Sequence, residues 1–159
     1  ADYVGPGKDH GSYIYDDSGN RGGLKPGELF VIAGDQNSDP LDGDSIPGSA
    51  QLLLNHPLIN TKVTPSSAGG VEQASQGPPN DVHLGDPAFD TADFSEAQFG
   101  GPGNLRADYV LPRKNLTIEN AAVFWPTSDD QLFRLVGPGF PVVSSDHRLV
   151  WIDVRVPGR

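Results

Sequence analysis

Five polar residues stand where apolar runs begin, end or are interrupted: Asp35 and Asn37, Asp108, and Asp146 with His147. Asp35 and Asn37 close the stretch LFVIAGDQNSDP, Leu29 to Pro40, in which five apolar residues run unbroken into Gly34. Residues two apart on an extended chain point the same way, so a carboxylate and an amide would share one side of the strand's mouth. Such a pair suits a metal or a phosphate, but it equally suits a strand that simply ends in an Asx turn. Asp108 lies within LRADYVL, Leu105 to Leu111. An acid inside a strand is unfavourable unless it has a partner or a task. Asp146-His147 directly precedes the apolar run from Arg148 to Val156. A histidine beside an acid can move protons near neutral pH, although a single Asp-His dipeptide is more often a surface accident.

These residues need elements to hold them. Leu29 to Ala33, apolar without alternation, is expected to be a strand buried on both faces, with Gly34 allowing a sharp turn at its end. Ile46 to Asn55 is expected to form a short helix with Pro47 in its first turn, Leu52 to Leu54 on its apolar side, and His56-Pro57 as its stop. In the strand Leu105 to Leu111, Leu105, Ala107, Tyr109 and Leu111 fall on one face and Arg106, Asp108 and Val110 on the other. Leu116 to Trp125 follows as a strand with Leu116, Ile118, Ala122 and Phe124 on one face. A short helix is expected over Ser128 to Val136, capped by Thr127 with Asp130 in the manner of a capping box. Arg148 to Val156 is the last strand, with Val150, Ile152, Val154 and Val156 on a clean apolar face and Leu149 and Trp151 on the other. Because these apolar faces need a common core, the strands near 29–33, 105–111, 116–124 and 148–156 are expected to share one sheet.

Between them lie two long irregular segments. Gly5 to Gly27 is polar, glycine-rich and expected at the surface, where it carries His10. Thr61 to Gly103 is rich in Gly, Pro, Ser and Asp, carries His83 without a recognisable partner, and is long enough to suggest a functional or partly mobile loop. His56 is expected to be structural. Asp35, Asn37 and Asp39 fit the first ligand positions of a helix–loop–helix calcium site, but Pro40 and Ile46 occupy its required Gly and Glu positions, which rules that site out.

Composition bounds the rest. A length of 159 residues suits one domain with a sizeable core, and 20 Gly with 15 Pro favours long loops over helices. With no Cys there are neither disulfides nor thiolate metal sites. With no Met the chain is expected to be a processed product or a fragment. No stretch is apolar and long enough for a membrane span, and no signal peptide is recognisable. A net charge of −10 argues against a polyanion held by charge alone, an argument that weakens if part of the protein is missing.

In order, GDQN (34–37), RADYVL (106–111) and SSDH (144–147) resemble the C-terminal half of the endonuclease/exonuclease/phosphatase superfamily, the DNase I-like fold, whose motifs read Gly-Asp-x-Asn, Arg-x-Asp-Tyr and Ser-Asp-His. FWP (124–126) and DHRLVWIDV (146–154) are similar to secreted bacterial members, which implies a secreted or periplasmic protein. The resemblance implies an α+β fold: half of a four-layered α/β sandwich, with a mixed β-sheet, few short helices and long loops. Residues 1–159 would be the C-terminal part of a single domain.

It further implies metal-dependent hydrolysis of a phosphate ester, whether a phosphomonoester, a nucleic acid or a phospholipid headgroup. A catalytically inactive fragment or binding module that keeps the fold is the alternative. On the family's pattern His147 would contact the scissile phosphate or activate water, Asp108 would orient His147, and Asp35 would align the nucleophile or the metal. Asn37 would bind a phosphate oxygen, and Asp146 would hold a divalent cation directly or through water, Mg²⁺ first, with Mn²⁺ or Ca²⁺ possible. The family's N-terminal half supplies a metal-binding Glu, an early Asn and another catalytic His. None can be placed here: Glu28 stands at the wrong end of its strand and His10 lacks the expected context. That half is therefore an implied partner.

Overall fold

The apolar run before Asp35 forms strand β1, Val31–Asp35, and the RADYVL segment supplies its antiparallel neighbour, β4. The structure, a computed structural model, describes residue 4 and residues 11–95, 100–139 and 141–158; His10 lies outside them. In chain order the strands are β1, β2 (Ala92–Asp93), β3 (Asn104–Leu105), β4 (Asp108–Pro112), β5 (Thr117–Phe124) and β6 (Leu149–Arg155). Two short helices, α1 (Gln51–Leu54) and α2 (Ala68–Ala74), lie between β1 and β2.

The single sheet expected from the apolar faces does not form. Among the described residues hydrogen bonding joins the strands into three antiparallel pairs, β1–β4, β2–β3 and β5–β6, so β1 and β6 belong to separate sheets and no mixed sheet is present. β4 runs close to β6 without a shared ladder. The physical consequence is two small cores rather than one. Ile59, Tyr109 and Leu111 bury under β1–β4 with Phe30, Ile32, Leu53 and Leu54 around them. Val123, Trp125 and Val136 bury under β5–β6 with Phe124, Phe133 and Val150.

β1 is covered on one face only. Ile32 turns toward the first core while Val31 is 45 % exposed, so the expectation of burial on both faces fails. β4 keeps the expected alternation, with Ala107, Tyr109 and Leu111 all buried. In β5 the expected face holds only at its start. A bulge between Ile118 and Asn120 shifts the register, so Ile118 pairs with Val154, Ala121 with Ile152 and Val123 with Val150. Paired residues point to one side, so Ala121 and Val123 share the face of Ile152 and Val150 after the bulge, while Ala122 and Phe124 lie opposite Trp151 and Leu149 and Phe124 still packs against the second core. The inward face of β6, Val150, Ile152 and Val154, is the one its alternation indicated.

The helices are shorter than expected. α1 occupies only the end of the 46–55 segment, and the 128–136 segment forms a 3₁₀ turn, Gln131–Leu135, capped by the Asp130 side chain accepting from Leu132 N–H at 2.7 Å. Thr127 instead bonds Asp129, which leaves the start of that turn to Asp130. Among its described residues the irregular 61–103 segment contains α2, two 3₁₀ turns and β2. Residues 91–93 lie between two neighbours: Thr91 N–H donates to Leu105 O at 2.9 Å, Arg148 N–H donates to Thr91 O at 2.7 Å, and Asp93 N–H donates to Asp146 O at 2.8 Å. This short ribbon carries the chain of His147 up to the end of β4.

Candidate active site

The β1–β4 register places Asp35 directly opposite Asp108. Like charges facing across a strand pair destabilise it, so the arrangement needs a donor between or beside them. His147 supplies one. Its Nδ1 lies 2.8 Å from Asp108 Oδ2, and one atom from each of Asp35, Asp108 and His147 falls within 4.8 Å of the others. The ring of Phe94 meets the imidazole edge-on, 5.3 Å between centroids, and fixes its other side. Because a carboxylate accepts, the natural tautomer carries its proton on Nδ1 and leaves Nε2 as the basic nitrogen. Burial pulls the pKa of His147 down. The hydrogen bond and charge of Asp108 and the charges of Asp35 and Asp146 outweigh it, so the net shift is upward.

The flanking residues are placed differently from one another. Asn37 does not extend the strand: its φ is 45°, and its N–H donates to Asp35 Oδ1 at 2.6 Å. The chain thus makes the Asx turn that was one of the two possibilities, beside the acidic pair and exposed to solvent. Asp146 is half-buried beside His147, its carbonyl bound by Asp93 N–H, and its carboxylate acts on the imidazole through charge. Ser145 Oγ accepts from His147 N–H at 3.1 Å. His56 is structural, as expected: Nδ1 accepts from Leu58 N–H at 3.3 Å. Glu28 accepts from Lys25 N–H at the far end of the strand from Asp35.

The residue that sequence reasoning missed is Thr91. It is 2 % exposed, and its hydroxyl donates to Asp108 Oδ2 at 3.0 Å. It lies in the irregular segment, 17 residues from its partner, and nothing in FDTADF marks it from a distance.

A donor set of carboxylate oxygens with one imidazole suits a hard divalent cation. Asp35 and Asp108 are the oxygen donors that face each other here, although Asp108 Oδ2 and His147 Nδ1 already bind one another. A sequence model of the Endonuclease/Exonuclease/phosphatase family matches residues 3–147, and the match spans all three motifs. The chain belongs to that family, whose general chemistry is phosphoester hydrolysis and whose members typically use divalent metals. No curated protein and no solved structure matches it. None of the helices among the described residues is long and apolar enough to cross a membrane.

Proposed function

We propose that the site hydrolyses phosphate esters with a divalent cation, Mg²⁺ before Mn²⁺ or Ca²⁺. The observation that carries this reading is the junction of Asp35, Asp108 and His147 at the ends of β1 and β4 in a chain of this family. His147, held through Nδ1 by Asp108, presents Nε2 to take a proton from attacking water or to bond a phosphate oxygen. Asp35, with Asn37 turned beside it, orients the nucleophile and a phosphate oxygen. Asp35, which faces Asp108 in the cluster, would hold the cation, with Asp146 added on the family's pattern although it lies outside that cluster, and the cation would offset charge building on the phosphate. The net charge of −10 on these 159 residues leans slightly towards a small ester over a nucleic acid, an argument that the charge of a second part of the domain would modify.

The reading includes a second part of the domain. Val31 on β1 and Leu149 (66 % exposed) and Trp151 (39 % exposed) on β6 leave apolar side chains uncovered, as a half-sandwich would. The N-terminal half implied by the motifs is the occupant that fits, and it would also supply the remaining cation and phosphate contacts. The test is a phosphatase and nuclease screen on the complete protein with and without chelator. Chelator-sensitive release that His147→Ala lowers by roughly 10²–10⁴-fold, the range for losing general acid–base help, is expected. Hydrolysis indifferent to His147 would overturn the assignment.

A further inference from the structure

The geometry points to Thr91 as the positioning residue of the Asp108–His147 pair. The hydroxyl of a threonine has one proton to give and two lone pairs to receive. Here both lone pairs are occupied by backbone donors, Ala107 N–H at 3.0 Å and Asp108 N–H at 2.8 Å. The proton therefore has one place to go, Asp108 Oδ2 at 3.0 Å. The same oxygen lies 2.8 Å from His147 Nδ1, so the Oδ2 atom that orients the imidazole is itself held by the threonine. This fixes the rotation of the Asp108 carboxylate and, through it, the tautomer of His147.

The main chain of Thr91 completes the clamp. Its N–H donates to Leu105 O, on the approach to β4, and its carbonyl accepts from the N–H of Arg148, the residue after His147. Ala92 bridges His147 itself. One residue thus bonds the Asp108 side chain and, through its backbone, both chain segments that carry the pair. Valine at this position would keep the shape but remove the hydroxyl proton and orphan two buried amides; serine would keep all three hydrogen bonds.

The inference rests on His147 as the proton-transfer group of the proposed reaction, so its test has one arm that needs no turnover. In the ¹⁵N-labelled chain, wild type and Thr91→Ser should show a His147 Nδ1–H resonance moved downfield by its bond to a carboxylate. Thr91→Val should lose or shift it. Asn60→Ala removes a buried polar group that bonds Leu116 O away from the pair and controls for general destabilisation: it should lower the melting temperature and leave the resonance in place. Should Thr91→Val not fold, Thr91→Ala, with room for a water to satisfy the two amides, gives the same measurement. In the form of the protein that turns over phosphate esters, Thr91→Val should lower kcat by roughly 10–100-fold, as for other outer partners of a catalytic group, with KM little changed and Thr91→Ser restoring the rate. A wild-type resonance in Thr91→Val and Thr91→Ala, or a wild-type kcat, overturns the positioning role. A shifted resonance in a protein that hydrolyses no phosphate ester supports the positioning role and overturns the phosphoesterase reading instead.

Discussion

His147 owes its basicity to its neighbours. Burial alone would make it a weaker base; the carboxylate of Asp108, aided by Asp35 and Asp146, reverses that. A group with a raised folded pKa contributes stability that is full below its unfolded value, near 6.5, and is lost as pH rises through the folded value. A base of this kind also works only when neutral, so the acid limb of the rate should lie above that of an ordinary histidine. Asp108→Asn should move the His147 titration, followed by NMR at the ring C–H, toward lower pH; an unmoved titration would show that Asp108 does not set it. At Asp90, which nothing in the sequence marked, burial acts the other way and raises the pKa. It is 7 % exposed, and burial together with Asp39, Asp42 and Asp86 pushes its carboxyl up to about 8. Its protonated form therefore stabilises the fold fully below the ordinary carboxylate range, and that contribution fades as pH rises through about 8. Asp90→Asn should raise the melting temperature above that pH, by on the order of a few kcal/mol in stability, and change little in acid. Equal pH profiles for the two proteins would refute the assignment.

At the scale of elements, short pieces are held by close approach rather than by length. Helix α2 is only seven residues, yet Gly69 lets it sit against the backbone of Trp125, whose carbonyl accepts from Gly69 N–H at 3.1 Å. A Cβ at Gly69 would lie 2.1 Å from that carbonyl oxygen and 2.7 Å from its carbon, atoms that cannot rotate away. Alanine gains about 1 kcal/mol of helix propensity over glycine, but overpacking against fixed atoms costs about 1–3 kcal/mol or more. Gly69→Ala should therefore lower the melting temperature, and a rise in thermal denaturation would show that α2 can shift. The β5 bulge belongs to this scale as well. Alternation matched the observed face at the start of β5 and the opposite face after Ile118, because a single extra residue reverses every later side chain.

At the scale of the molecule, the described residues form two small cores in place of one, and apolar side chains on β1 and β6 face outward. On the proposed reading the phosphate is gripped from one side only, since cation sites of this type need several protein oxygens. Purified 1–159, shown by mass to carry no second polypeptide, should be inert toward phosphate esters with Mg²⁺, Mn²⁺ or Ca²⁺. Supplying the N-terminal half should restore chelator-sensitive turnover. Phosphate release by the lone chain that is abolished by His147→Ala would show the half-site to be sufficient.

By itself the sequence determined what is local. The three motifs, their order and their family are legible in it, as are the strands that carry Asp35 and Asp108, the buried face of β4 and the inward face of β6, because each depends on residue type and on periodicity over a few positions. The tertiary structure decided what depends on closing long loops. It set the register that puts Asp35 opposite Asp108, the reach of His147 to a carboxylate 39 residues away, the Asx turn in which Asp35 Oδ1 accepts from Asn37 N–H, and the hydroxyl of Thr91 against an acid 17 residues away. Neither propensity nor alternation encodes such pairings. They follow from which apolar faces bury together and from the backbone groups that must then find partners.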